Sequence, residues 1–291
     1  MGFEKPDRIS CLLWIALLLA WDVAAFLPRA NVASRCVYLP DRAASTCLGS
    51  TTSGDEEDGK ATLNFLVELN LSSDPLPHST TKEEVSGFLK DPETRKLMLS
   101  AAGSREVDEV PLNSELESLW KECCKEEYGE NLLPGEGDCI LATTTVTKLP
   151  GVSLNNKIYN GVKQFTDEET GIPKFTFMMV GEEQSARGPL VWIFNKLTGK
   201  KEEEEASLKP SGFAASHVSV VQDEDGNLAF NYDATIKITV KFPATLLKIL
   251  PTTKEKAEAS ASASIGKGIR KDVEKGNKGV YDAFIEFQKQ Q

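Results

Sequence analysis

The chain has 291 residues, of which 40% are hydrophobic and 26% are charged. This composition is typical of a globular protein of one or two domains, and it excludes a collagen-like or wholly disordered chain. The formal net charge of −11 argues against binding to nucleic acid, because polyanions select basic surfaces. Because the chain has only 2 His, metal sites built from several histidines are nearly impossible.

Residues 1–25 have the layout of a secretory signal peptide. Lys5 and Arg8 precede an apolar run from Cys11 to Trp21, and small residues follow that run. A helix of this length covers about 16 Å, roughly half of a bilayer, so we expect no stable membrane span. A buried core helix is the alternative interpretation.

Residues 26–59 combine a predicted transit peptide with an acidic linker. The first part is basic, rich in Ser and Ala and poor in acids, and the linker is the segment Gly54–Gly59. The junction at Ala24–Pro28 resembles the bipartite plastid presequences of algae with secondary plastids, such as diatoms. In those presequences a Phe follows the signal cleavage site, and Phe26 would be that residue here. The resemblance implies a plastid protein of the stroma, and the secretory pathway is the alternative.

Short helices are predicted in the first third of the remaining domain, 60–291. Residues 60–71 fit either a strand or a short amphipathic segment. Thr81 and Glu84 have capping-box spacing, so a helix should begin there and break at Asp91-Pro92. A second helix should end near Gly103. A third should begin at Asn113-Ser114, with one apolar face made of Leu116, Leu119, Trp120, Cys123 and Cys124.

From residue 139 onward the pattern becomes that of antiparallel strands. Segments rich in β-branched or alternating residues are separated by turn signals, and they are Cys139–Leu149, Val152–Phe165, the segment around Phe175–Met179, Gly212–Asp223 and Asn227–Phe242. We expect a bulge at Asn160-Gly161. The apolar run 189–199 fits a strand or a helix, and the charge run Lys200–Glu205 predicts a solvated loop.

A long helix is predicted after Thr253. Its apolar stripe recurs at helical spacing and consists of Ile265, Ile269, Val273, Val280, Phe284 and Phe287. Glycines within this segment each weaken a helix by about 1 kcal/mol relative to Ala. Such a helix is held by packing against another element, and the apolar face of the sheet is the available partner.

The expected fold class is therefore α+β, with a curved antiparallel sheet of about six to seven strands around the long C-terminal helix. This arrangement is a helix grip, and the sequence resembles the START-like superfamily (SRPBCC, Bet v 1-like). It also resembles an uncharacterised START-like family of plants, algae and cyanobacteria. The segments that carry the likeness are Phe88–Leu99, Val146–Leu154, Ile238–Pro251 and Ile265–Phe287. Phe287 stands near the end where relatives often carry Trp.

No catalytic motif is present in the sequence, and we expect neither a cofactor nor a metal site. His217 is the one histidine predicted to lie in the interior, where it could serve as a satisfied structural residue or contact a ligand. Cys123, Cys124 and Cys139 are the cysteines beyond the presequence, and we expect them to be buried or half-buried thiols.

The resemblance implies non-enzymatic binding or carriage of a hydrophobic small molecule, such as a lipid, isoprenoid or pigment, in the plastid. The predicted ligand-binding residues are Phe175, Phe177, Phe213, Ala215, His217, Ile238, Ile265 and Ile269. One alternative is a cavity enzyme of the cyclase or hydrolase type that uses His217 or Tyr232 as acid or base. The other is an assembly or interaction factor whose acidic surface meets a plastid protein, with transient membrane contact also open.

Overall fold

The protein is represented by a computed structural model that describes residues 60–100, 105–149, 152–168, 170–189, 191, 208–210, 212–223, 225–243 and 253–290. The predicted presequence, 1–59, lies outside the described residues. The predicted loop at 200–205 and most of the apolar run at 189–199 lie outside them too.

The described elements follow one another as β1 (Lys60–Ser72), α1 (Lys82–Lys90), α2 (Pro92–Leu99), β2 (Glu106–Val110), α3 (Ser114–Cys123), β3 (Cys139–Leu149), β4 (Val152–Thr166), β5 (Pro173–Arg187), β6 (Gly212–Gln222), β7 (Leu228–Pro243) and α4 (Lys254–Gln290). A π-helical turn (Cys124–Tyr128) and a 3-10 turn (Glu130–Leu132) continue α3. The strands form one antiparallel sheet in the order β1-β7-β6-β5-β4-β3-β2.

The predicted α+β class, with one antiparallel sheet and a long C-terminal helix, is confirmed. The capping box is present, since the amide of Glu84 donates to Thr81 Oγ1 and the amide of Thr81 donates to Glu84 Oε2. Asp91 separates α1 from α2 and caps the second helix with its carboxylate. Among the described residues, no helix has both the length and the apolar character needed to cross a membrane.

Two details differ from the sequence prediction. The register of β4 against β5 shifts between Tyr159 and Asn160, one residue before the predicted bulge. Gly161 has another role, because a Cβ atom there would lie 2.8 Å from the ring of Trp120. The edge strand β2 was not predicted, because its residues Glu106–Val110 are mostly charged and give only a weak strand pattern.

The inner face of the sheet is covered by α4, together with α1 and α2. Apolar side chains alternate along each strand, so one set of residues points toward these helices. Near the C-terminal end of α4, Phe284 packs edge-on against Phe88 and Phe230, with ring centroids 5.3 and 5.9 Å apart. Farther toward the N-terminus of α4, Ile265 and Ile269 pack against β1 and β7.

The outer face is covered over β3, β4 and β5 by α3 and the turns that follow it. Trp120 is fully buried there, and its Nε1 donates to the carbonyl of Leu132 over 2.9 Å. Lys209 forms an ion pair with Glu122 on α3 over 2.7 Å. The apolar face predicted for this helix is real, but the sequence did not indicate that it packs on the side of the sheet away from α4.

Candidate functional site

A cavity of about 160 Å³ lies between α4 and the inner face of the sheet. Most of its wall is apolar, and the residues that give it this character are Met98, Leu99, Ile158, Phe177, Met179, Ile236, Ile269 and Val273. Ala214, Ala234 and Gly276 also line it, and because two of them have only a methyl side chain and the third has none, they leave space between helix and sheet. The cavity is therefore an apolar hollow of the size of one small ring compound.

A buried pair of opposite charges forms one part of the wall. Arg105 Nη2 lies 3.9 Å from Asp272 Oδ2, and the two side chains are 22% and 9% exposed. Burial raises the pKa of Asp272, and the charge of Arg105 acts in the opposite direction. Burial also lowers the pKa of Arg105. At this distance the Oδ2 atom attracts the guanidinium group without receiving a hydrogen bond from it.

Tyr232 on β7 brings a hydroxyl group to the same cavity. This hydroxyl is buried and has no hydrogen-bond partner among the described residues. Burial raises the pKa of Tyr232 above the ordinary value for tyrosine, so the group stays protonated and can donate. A buried polar group left without a partner costs about 1–3 kcal/mol, and a bound molecule or water can remove that cost.

The predicted ligand-binding residues do not surround one cavity. On the inner face are Phe175, Phe177, Ile238, Ile265 and Ile269. Of these, Phe177 and Ile269 line the cavity. The other three belong to the closely packed core on either side of it.

The outer face holds the remaining predicted residues, Phe213, Ala215 and His217. His217 is the register partner of Thr176, and its Nδ1 lies 2.8 Å from Thr176 Oγ1. Register partners point to the same face, so His217 lies on the face of Thr176. Phe175 and Phe177, the neighbours of Thr176 on β5, point to the other face. The ring of Phe213 packs against Tyr128 at 5.8 Å, and Ala215 packs against the outer cluster while also bordering the inner cavity. The prediction that His217 lies in the interior is therefore wrong, because the side chain is exposed on the outer face.

Arg105 and Asp272 were not predicted to be site residues. Asp272 follows Ile265 by seven residues and Ile269 by three, so helical spacing places it on the buried face of α4. A carboxylate within an apolar helical stripe is a signal that could have identified Asp272 as a candidate site residue. No comparable signal marks Arg105, which lies directly before the unpredicted strand β2.

An open groove of about 470 Å³ lies on the outer face of the sheet. Its floor is formed by strands β5, β6 and β7, with side chains of Thr176, His217, Ser219, Asn231 and Asp233. Its wall is formed by Asn131 and Leu132 of the 3-10 turn and by Phe165 of β4. Lys174 and Asp167 also line the groove and form an ion pair over 3.6 Å.

No protein-family model matches the chain, and no curated protein matches it. Solved structures that resemble it include the Mll3558 protein from Rhizobium loti, with 8% identity over 73% of this chain and 98% of that chain and a TM-score of 0.23. An uncharacterized protein from Rhizobium leguminosarum has 7% identity over 75% of this chain and 97% of that chain, also with a TM-score of 0.23. With such low TM-scores, these likenesses support no argument about fold or function.

Proposed function

We propose that the protein binds a small, mostly apolar molecule that carries one hydrogen-bonding group, and that it holds this molecule in the inner cavity without catalysis. The observation that supports this proposal best is that one cavity has both an apolar wall and two polar atoms without hydrogen-bond partners. These atoms are the hydroxyl oxygen of Tyr232 and Oδ2 of Asp272. A ligand that satisfied both would gain binding energy that a purely apolar ligand would not.

A hydroxyl group on the ligand suits these two partners. It can accept a hydrogen bond from the protonated hydroxyl of Tyr232 and donate one to the carboxylate of Asp272. The volume of about 160 Å³ is close to that of an engineered cavity of about 150 Å³ that binds benzene. Each of the expected ligands, a lipid, an isoprenoid or a pigment, is larger than this cavity. Such a ligand would therefore place only one ring or a short branch in it.

We also propose that the fold is a helix grip of the START-like kind. The order of elements supports this proposal, because β1 and two helices are followed by the remaining strands and then by α4 on the inner face. The helix α3 on the outer face is an addition to that arrangement. Location in the plastid remains a proposal that rests on residues 1–59 alone.

The enzymatic alternative has less support. It named His217 and Tyr232 as candidate acids or bases, but these side chains lie on opposite faces of the sheet. Tyr232 is also held protonated by burial. The other alternative, an interaction factor, has one supporting observation. The edge strand β2 exposes Glu106, Asp108 and Glu109, and these carboxylates suit a basic protein partner.

Binding of para-cresol and of toluene, followed by amide chemical shifts in NMR titrations, tests the proposal. Both probes are single rings, and only para-cresol has a hydroxyl group. We expect para-cresol to bind about two- to tenfold more tightly than toluene, the range expected for one net hydrogen bond. Tyr232→Phe should reduce that preference without preventing the binding of toluene.

Two variants locate the binding site. Ala234→Leu should fill part of the cavity and weaken the binding of both probes, because Ala234 lines the cavity. Thr235→Leu is the matched control, since the next residue along β7 points to the opposite face. Equal affinity for the two probes, or an affinity that Ala234→Leu leaves unchanged, would overturn the proposal.

A further inference from the structure

The floor of the outer groove is a row of polar side chains on neighbouring strands. Thr176 on β5 pairs in register with His217 on β6, which pairs with Asp233 on β7. Asn70 on β1 continues the row as the register partner of Asp233. Beside this row, Asn231 accepts a hydrogen bond through its Oδ1 from the hydroxyl of Ser72 over 2.9 Å. The floor thus presents donors and acceptors close together on a rigid sheet.

The wall of the groove is held in place by hydrogen bonds of its main chain. The carbonyl of Leu132 accepts from Trp120 Nε1 over 2.9 Å, and that of Leu133 accepts from Lys163 Nζ over 2.7 Å. Lys163 also pairs with Asp138 over 3.0 Å. Because both carbonyls are fixed by buried or half-buried side chains, this part of the wall needs little rearrangement when a ligand binds.

The imidazole of His217 is held in one orientation in the groove. Its Nδ1 is occupied by Thr176 over 2.8 Å, and Thr176 is itself only 3% exposed. A hydrogen bond at one ring nitrogen fixes the plane of the imidazole and determines which nitrogen remains for other partners. Nε2 is therefore the nitrogen that can meet a ligand.

From these observations we propose that the outer groove is a second binding site, and that it takes a neutral polyhydroxylated molecule such as a monosaccharide or disaccharide. The charge of the groove disfavours an anionic ligand, because Lys174 is paired with Asp167 and Asp233 adds a further negative charge. The chain as a whole is also acidic, at −11. A hydroxyl group both donates and accepts, which matches a floor that carries hydroxyl, imidazole, amide and carboxylate groups.

The shape of the groove agrees with this ligand class. A volume of about 470 Å³ falls within the range of about 300–1,000 Å³ that is usual for small-molecule sites. Phe165 provides an apolar surface at the wall, against which the C–H face of a sugar ring can pack. This site lies on the opposite face of the sheet from the inner cavity, so it does not depend on the proposed function.

NMR of the imidazole groups tests the proposal directly, because the chain has only 2 His. His78 lies in the exposed loop between β1 and α1 and serves as an internal control. The protein is labelled with 15N-histidine and titrated with glucose, maltose and myo-inositol. We expect at least one of these to shift the signals of His217 along a saturable curve while those of His78 stay in place.

Matched carboxylate variants complete the test. Asp233→Ala should weaken the binding by about tenfold, as expected for losing a hydrogen bond to a charged group. Asp282→Ala, which removes an exposed carboxylate on α4, should leave it unchanged. The proposal is overturned if His217 shows no saturable shift with any of the three compounds, or if both histidines shift equally. It is also overturned if the diamine putrescine binds where none of the polyols does.

Discussion

At the scale of single residues, Asp272 makes the stability of the fold depend on pH. Burial raises its pKa in the folded protein, and Arg105 offsets only part of that shift. The folded protein therefore holds this proton more tightly than the unfolded chain does. As pH rises from the unfolded pKa of about 3.9 through the higher folded value, the contribution of Asp272 to the free energy of unfolding falls.

Asp272→Asn removes this titration, so the variant should gain stability relative to the wild type as pH rises through that window. Urea unfolding of both proteins at a series of pH values measures the difference. A difference that is constant with pH, or that changes in the opposite direction, would contradict the assignment of Asp272 as a poorly compensated buried acid.

Cys123 should behave as an inert thiol. Burial raises its pKa to about 11, so at pH 8 only about one molecule in a thousand would carry the reactive thiolate. We expect iodoacetamide at pH 8 to leave Cys123 unmodified in the folded protein and to alkylate it in urea, as read by peptide mass spectrometry. Rapid alkylation under native conditions would show that this side chain is not buried as the structure describes.

At the scale of elements, two glycines should respond oppositely to the same substitution. Gly161→Ala places a Cβ atom 2.8 Å from the ring of Trp120, and overpacking of this kind costs about 1–3 kcal/mol. Gly266→Ala on α4 meets Val67 at an ordinary 3.5 Å and should gain up to about 1 kcal/mol from helix propensity. Denaturant melts of both variants check this pair, and destabilisation by both would refute the packing described for α4 against β1.

The two sides of α4 should differ in their sensitivity to mutation. Phe284 is 0% exposed and packs against three other aromatic rings, so Phe284→Ala should cost about 3–5 kcal/mol. Lys278→Ala on the exposed side should change the free energy of unfolding by less than about 0.5 kcal/mol. Thermal or urea melts measure both, and similar losses on the two sides would mean that α4 does not lie on the sheet as described.

The elements that the sequence predicts well are those with local signals. The capping box at Thr81, the alternation of β5 to β7 and the stripe on α4 depend on residues near each other in the chain. The candidate site was predicted less well, because it depends on how strands pair. Alternation reveals which residues share a face of β6, but only the pairing of His217 with Thr176 shows which face of β5 it joins.

At the scale of the whole molecule, the sheet separates two different environments. The inner face and α4 enclose an apolar cavity with the polar atoms of Tyr232 and Asp272, and the outer face carries an open polar groove beside α3. No pattern in the sequence placed α3 on the outer side, since an amphipathic helix can pack on either face of a sheet. Its position completes the core around Trp120 and forms one wall of the groove.

Native mass spectrometry of the protein purified from the cells that produce it tests the central proposal most directly. We expect the wild-type protein to carry the added mass of a small organic molecule, retained by the inner cavity. Ala234→Leu should lose that mass, and Thr235→Leu, on the opposite face, should keep it. A wild-type protein that carries no added mass, or a ligand retained equally by both variants, would contradict the proposal that the inner cavity is the binding site.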